Sequence, residues 1–176
     1  GLRDVSIQRI AGSLTDHYDP RERVVRLSET VYGSPSIAAI GVAAHEVGHA
    51  VQHATGYAPL KLRTAIVSVT NIGSTLSMPL ILIGILLNSS RLALVGVALF
   101  GLVAGFQLVT LPVEFNASSR ALATLDGMDI LGREELGGAR QVLTAAALTY
   151  VAALIQSLAQ LLRLLLLVGG NRRRGD

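Results

Sequence analysis

The sequence contains no cysteine and no tryptophan, and only 4% of its 176 residues are aromatic. Without cysteine the chain forms no disulfide, carries no thiol nucleophile and can bind zinc only through histidine and carboxylate side chains. Charged residues make up 15% of the chain, whereas a typical soluble domain has about 25%. The basic residues are scattered apart from residues 172–174, so we expect no nucleic-acid binding. This composition indicates a membrane protein.

Three apolar stretches are long enough to cross a bilayer, which requires about 20 residues. Residues 66–87 and 92–113 carry no charge and are separated by a short polar turn, so they predict a transmembrane helical hairpin. Residues 144–168 form the third stretch, in which Arg163 lies near the end and can extend toward the lipid headgroups. The alternative for this third stretch is an amphipathic helix at the membrane surface.

A histidine-rich motif follows an apolar segment in the first third of the chain. Residues 45–49 read H-E-x-x-H, and helical residues four apart lie on one face, so His45 and His49 can bind the same Zn²⁺ ion. Glu46 can then reach a water activated by that metal and act as general base. Surface histidines on an amphipathic helix are the alternative. The apolar residues 37–44 instead indicate a buried helix, where unpaired ionisable groups are costly, and this favours a metal site.

The amino-terminal 35 residues are polar and have strand-like patterns. Residues 5–10 and 24–27 alternate between apolar and polar, and a turn pattern lies at residues 19–22. We expect an antiparallel hairpin here, whose edge strand would lie beside the metal helix and could bind an extended substrate through its backbone. A small sheet that only caps the domain is an equal alternative.

The motif leaves the third metal ligand open. His53 lies eight helical residues after His45, about 12 Å along the axis, so we expect it in the second shell or at the surface. The remaining candidates are His17 and a distant carboxylate. Glu114 is the acid at the end of a predicted span, and two crossings return the chain to the same membrane face, which favours it over a simple helix cap. Ser118, one turn further, could orient a ligand.

These patterns together predict a mainly α membrane protein with a zincin-like metal helix, a small amino-terminal antiparallel β hairpin and about three transmembrane helices. Five segments follow from them. They are a zincin-like part at residues 1–65, a transmembrane hairpin at 66–113, a third-ligand helix with its connection at 114–143, a transmembrane helix at 144–168 and a basic tail at 169–176.

The chain resembles the membrane-associated neutral zinc metallopeptidases of bacteria, the YugP-type membrane proteases, over nearly its whole length. The similar segments are residues 14–20, 26–29, 31–33, 38–50, 71–74 and 111–118. The resemblance implies a multi-pass, zinc-dependent endopeptidase of the bacterial cell membrane that uses one Zn²⁺ ion. We expect protein or peptide substrates that are membrane-associated or misfolded. Members usually have a further amino-terminal anchor, and because this sequence starts at Gly1 we expect it to be a fragment without that anchor.

A more distant similarity is to the HtpX and CAAX prenyl proteases, whose third zinc ligand is the glutamate of an E-x-x-x-D helix after membrane spans. Glu114 matches this glutamate, whereas Ser118 replaces the aspartate. This likeness implies that the site faces the cytoplasm. Arg120 could face the site and help to stabilise the oxyanion.

The resulting hypothesis is that His45, His49 and Glu114 bind zinc while Glu46 accepts the proton of the attacking water. One alternative is a catalytically inactive zincin-like membrane protein that acts as a binding partner. Another is a transporter subunit whose polar intramembrane residues line a path, although helix packing explains those residues equally well. They are Asn71, Gln107, Gln156 and Gln160.

Overall fold

The computed structural model describes residues 2–172, and within them it contains three short strands followed by four helices. The strands are β1 (Ser6–Ile10), β2 (His17–Asp19) and β3 (Val24–Ser28). The helices are α1 (Ile37–Ala54), α2 (Ala58–Leu86), α3 (Ser90–Gly127) and α4 (Arg133–Arg172). The mainly α fold with a small amino-terminal sheet is therefore confirmed. Part of the predicted basic tail, residues 173–176, lies outside the described residues.

The strands form one sheet in the order β1-β3-β2. Strand β2 pairs antiparallel with β3, and the turn between them is held by the Asp19 carboxylate, which accepts hydrogen bonds from the backbone N–H groups of Arg21 (2.8 Å) and Glu22 (3.3 Å). Strand β1 pairs with β3 in parallel. This corrects the expected pairing of residues 5–10 with 24–27, because alternation identifies a strand but not its direction.

The chain divides into two compact units. The first comprises Gly1–Lys61 and Pro112–Thr149, and the second comprises Leu62–Leu111 and Tyr150–Asp176. The first unit therefore contains the sheet, all of α1, the last part of α3 and the first part of α4. Its core is built from alanine, valine and leucine side chains. The buried apolar residues are Val24, Val25, Leu27, Ala39, Ala50, Val113, Ala117, Ala121, Leu125, Ala139, Leu143 and Ala147.

Helix α1 has defined caps at both ends. The Ser36 side chain accepts a hydrogen bond from the backbone N–H of Ala39 (3.2 Å), which satisfies one donor of the first turn. At the other end Gly56 adopts φ +64°, and the N–H of Tyr57 donates to the carbonyl of Gln52 (2.9 Å). This is a Schellman motif. It favours glycine at position 56, because the residue after the helix must adopt a left-handed backbone conformation. The caps fix the length of the helix that carries the H-E-x-x-H motif.

The second unit is helical, and its apolar side chains largely remain exposed. A cluster of buried residues joins Ile81, Ala93, Val97, Leu164 and Val168. Many larger side chains point outward, as suits a surface in contact with lipid tails rather than water. They include Val69, Ile72, Leu82, Leu86, Leu108, Ile155 and Leu166.

Within the described residues three helices have the length and composition needed to cross a membrane. Their ranges are Ala58–Leu86, Ser90–Gly127 and Arg133–Gly170, which confirms the three long apolar helices expected from the sequence. Helix α3 continues without a break through Pro112. Glu114 therefore lies inside this long helix and does not begin a separate one.

Candidate metal centre

Two helices of the first unit bring three donor side chains together. His45 and His49 project from successive turns of α1, and Glu114 projects from α3. The Glu114 Oε2 atom lies 3.2 Å from Nε2 of His45 and 3.6 Å from Nε2 of His49. The two imidazole rings meet edge to face with their centroids 4.7 Å apart. The three residues offer ligand atoms that all lie within 4.8 Å of one another.

This donor set fits a single zinc ion. Tetrahedral zinc with bonds of about 2.0–2.2 Å to nitrogen and oxygen separates neighbouring ligand atoms by about 3.3 Å. The contacts of Glu114 with the histidines, at 3.2 and 3.6 Å, bracket that spacing. Two neutral imidazoles and one carboxylate are also the zinc ligands available to a chain without cysteine. His45, His49 and Glu114 could therefore hold one zinc ion and leave a fourth position for water or substrate.

Glu46 is buried beside this group, with only 8% of its surface exposed. Burial raises the pKa of its carboxyl group because it disfavours the charged form. Electrostatic attraction to His49 and His45 opposes this shift, the charge of Glu114 adds to it, and the Tyr18 backbone lowers the pKa of Glu46. A carboxylate with a raised pKa is a better proton acceptor near neutral pH than an ordinary surface glutamate.

His49 is buried as well, and its pKa is nevertheless raised. Burial alone would lower the pKa of the imidazole, but the carboxylate of Glu114, the charge of Glu46 and the contact with Gln52 outweigh it. The carboxylates around His49 thus stabilise positive charge, either on its ring or on a metal cation bound to it.

Each of the two histidines has its other ring nitrogen held by a polar side chain. Nδ1 of His45 lies 3.1 Å from Oγ of Ser118, and Nδ1 of His49 lies 3.0 Å from Oε1 of Gln52. Such contacts orient the rings of metal-binding histidines and direct Nε2 toward the metal. Ser118 therefore lies within hydrogen-bonding distance of the His45 ring, and its role in orienting that ring stays a prediction.

Gln52 and Asn116 are site residues that the sequence reasoning missed. The Gln52 amide nitrogen donates to the backbone carbonyl of Val113 (2.8 Å) and to Oδ1 of Asn116 (3.0 Å). The one available signal was position, because Gln52 follows His49 by three residues and so lies on the same face of α1.

Three other candidate residues do not contact the three donor side chains directly and have partners of their own. Nδ1 of His17 contacts the carbonyl of Thr15 at 2.8 Å, and Nδ1 of His53 contacts the hydroxyl of Tyr18 at 2.8 Å. Neither histidine joins the metal-binding group. Arg120 donates from Nε to Oδ1 of Asn116 (2.8 Å), and its guanidinium lies over the ring of Tyr57. The structure thus connects Arg120 to Asn116 and Tyr57.

A groove lies between α3 and α4, next to Ser118. Its volume is about 450 Å³, and Ser118 forms part of its wall. The other lining residues are mostly apolar. They are Phe115, Ser119, Leu122, Ala123, Asp126, Leu136, Arg140, Leu143, Thr144 and Ala147. The groove therefore reaches the side chain that holds His45.

Comparison with known proteins agrees with this geometry. A family model described as "Putative neutral zinc metallopeptidase" matches residues 1–169. The chain belongs to this family. It is 52% identical over 172 residues to "Putative membrane protease YugP" of Bacillus subtilis (strain 168), and the match covers 98% of this chain and 76% of that protein. No solved structure matches the chain.

The family indicates zinc as the metal, and the group formed by His45, His49 and Glu114 could hold one such ion. The predictions of the family, of zinc and of a membrane protein with three apolar helices are therefore confirmed.

Proposed function

We propose that the protein is a membrane-associated zinc endopeptidase that hydrolyses peptide bonds with water. His45, His49 and Glu114 are the zinc ligands in this proposal, and Glu46 is the general base. The observation that carries it is the convergence of the Glu114 carboxylate on both Nε2 atoms, at 3.2 and 3.6 Å, with the buried carboxylate of Glu46 beside them.

The chemistry follows from this arrangement. Zinc held by these ligands supplies a Lewis acid that acidifies water and polarises the scissile carbonyl. Glu46 accepts the proton of the attacking water and passes it to the departing amine nitrogen, for which its raised pKa suits it. Attack by water forms no covalent bond to the enzyme, which agrees with a chain that has no cysteine nucleophile.

Strand β2 offers a place for an extended substrate. It lies at one edge of the sheet, and its Tyr18 backbone lies close enough to Glu46 to lower the pKa of that carboxyl group. An extended peptide could pair with the edge through main-chain hydrogen bonds, so that its scissile bond passes Glu46. Because such pairing requires an extended chain, we expect the substrates to be misfolded or membrane-associated proteins, or peptides.

Proteolysis of a loosely folded protein by the purified chain in detergent tests the proposed function. Glu46→Gln removes the proton acceptor but no zinc ligand, so we expect activity to fall by about 10²- to 10⁴-fold with zinc content unchanged. Glu29→Gln, which alters an exposed glutamate paired with Arg9 at 3.5 Å, is the matched control and should retain activity. Full activity of Glu46→Gln would refute the proposed mechanism.

We also propose that the metal site faces the cytoplasm. Lys61 and Arg63 precede the first apolar stretch, and basic residues near membrane helices favour the cytoplasmic side. The natural absence of cysteine makes this directly testable, because Ser13→Cys and Arg91→Cys each introduce a single thiol at an exposed residue. In intact cells a membrane-impermeant maleimide should label only Arg91→Cys, since one crossing separates the two positions. Labelling of Ser13→Cys alone would contradict the proposal and place the metal site on the outer face of the membrane.

A further inference from the structure

We infer that Gln52 is a positioning residue for the metal site. Its side chain fixes which ring nitrogen of His49 carries the proton, and it holds α3 in the register that presents Glu114. Asn116 and Arg120 in turn keep the Gln52 amide in place. This inference deepens the proposed function and rests on it.

The orientation of the Gln52 amide follows from its neighbours. The carbonyl oxygen of Val113 can only accept a hydrogen bond, so the Gln52 atom 2.8 Å from it must be the NH₂ group. The same NH₂ group donates to Oδ1 of Asn116. Arg120 Nε–H can only donate, and its 2.8 Å contact fixes that atom of Asn116 as the oxygen. The Val113 carbonyl at one end of this chain of hydrogen bonds and Arg120 at the other therefore require the same orientation of the Gln52 amide.

This arrangement selects the tautomer of His49. With the NH₂ group of Gln52 directed at Val113, its Oε1 atom faces Nδ1 of His49 at 3.0 Å and can only accept. Nδ1 must then carry the hydrogen, and in a neutral imidazole the lone pair is left on Nε2. Nε2 is the atom that faces Glu114. Gln52 thus presents His49 in the form that binds a metal.

The second role of Gln52 concerns the position of α3. Its NH₂ group binds the carbonyl of Val113, the residue immediately before Glu114, and the hydroxyl of Tyr57 donates to the preceding carbonyl, that of Pro112 (3.4 Å). Sliding α3 by one residue, about 1.5 Å, would break both contacts and move the Glu114 carboxylate away from the histidines. Gln52 is completely buried, so a lost contact could not be replaced by bulk water.

The test measures zinc affinity of the full chain by competition with a chromophoric chelator. Gln52→Met keeps the length of the side chain but removes both functions, and we expect affinity to fall about 10- to 100-fold. Gln52→Glu keeps an acceptor for His49 but cannot donate to Val113, so we expect a loss that is smaller than for Gln52→Met. Gln141→Met, the same change at an exposed residue of α4, is the control and should bind zinc as the unaltered protein does.

A second measurement separates positioning from general damage to the fold. In ¹⁵N-histidine spectra we expect His49 to lose its fixed Nδ1–H form in Gln52→Met and to keep it in Gln52→Glu. If Gln52→Met does not fold, Asn116→Ala provides the same test, since it leaves Gln52 in place but releases its amide, and affinity should fall several-fold.

The inference is overturned if Gln52→Met binds zinc as tightly as the unaltered protein and keeps the Nδ1–H form of His49. Unchanged zinc affinity and an unchanged His49 tautomer in Asn116→Ala would also overturn it. Absence of zinc binding in the unaltered chain would instead refute the proposed function itself.

Discussion

Gly48 lies directly against the backbone carbonyl of Ala117. A Cβ atom at position 48 would be 2.5 Å from that oxygen, closer than real Cβ contacts come. Gly48 precedes His49, and Ala117 follows Glu114 by less than one turn; both flanking residues are proposed zinc ligands. The missing side chain at Gly48 therefore allows α1 and α3 to approach closely at the metal site, which is what brings the two halves of the site within bonding distance of one ion.

Gly48→Ala should push α3 away from α1, because the clash involves backbone that cannot rotate aside. We expect a loss of about 1–3 kcal/mol in stability, the usual cost of overpacking, together with weaker zinc binding. Thermal unfolding and chelator competition measure the two effects. Gly137→Ala is the matched control, since nothing lies within 4 Å of a Cβ there, and it should gain about 0.5–1 kcal/mol. Unchanged zinc affinity in Gly48→Ala would contradict this role.

Ser118 should tune the zinc affinity through His45. Its hydroxyl lies 3.1 Å from Nδ1 of that histidine, so Ser118→Ala removes a contact that orients the ring, and we expect zinc to bind about 10-fold more weakly. Ser118→Asp supplies a stronger acceptor and should bind zinc at least as tightly as the unaltered protein. Ser119→Ala, next along α3, serves as control. Equal affinities for Ser118→Ala and Ser119→Ala would show that the hydroxyl has no such role.

Zinc affinity should rise with pH. The pKa of His49 is raised above 6.5 in the folded chain, so protonated His49 adds to stability below that value and this contribution is lost as pH increases through the raised pKa. Zinc binds the neutral ring and must displace the proton. The apparent affinity should therefore increase with pH up to the raised pKa of His49 and level off above it, as followed by chelator competition at a series of pH values. His17→Gln should show the same slope, whereas a flat profile for the unaltered chain would contradict the raised pKa.

The sequence predicted that His45, His49 and Glu114 lie together, because helix spacing and the number of membrane crossings are enough to bring them together. Helical spacing placed His45 and His49 on one face, and the count of membrane crossings selected Glu114. Gln52 and Asn116 were missed because a glutamine or an asparagine has no distinctive spacing, and its function depends on neighbours from another helix. Arg120 was considered for the oxyanion, but its position beside Tyr57 and Asn116 depends on tertiary contacts that a single sequence does not record.

The fold was predictable to a similar extent. Apolar length identified the three membrane helices, and alternation identified strands β1 and β3. The pairing direction of β1 was not predictable, because parallel and antiparallel strands of this length have the same pattern. The continuity of α3 was also missed, because the uncharged stretch ends before Glu114, whereas the helix continues to Gly127.

The central claim is that His45, His49 and Glu114 together bind one catalytic zinc ion. Metal analysis of the purified full chain, combined with a proteolysis assay, tests it most directly in the unaltered protein, Glu114→Ala and the control Glu134→Gln, which alters an exposed acid of α4. We predict one zinc per chain and proteolysis for the unaltered protein and the control, and loss of both for Glu114→Ala. Retention of zinc and activity by Glu114→Ala would contradict the claim.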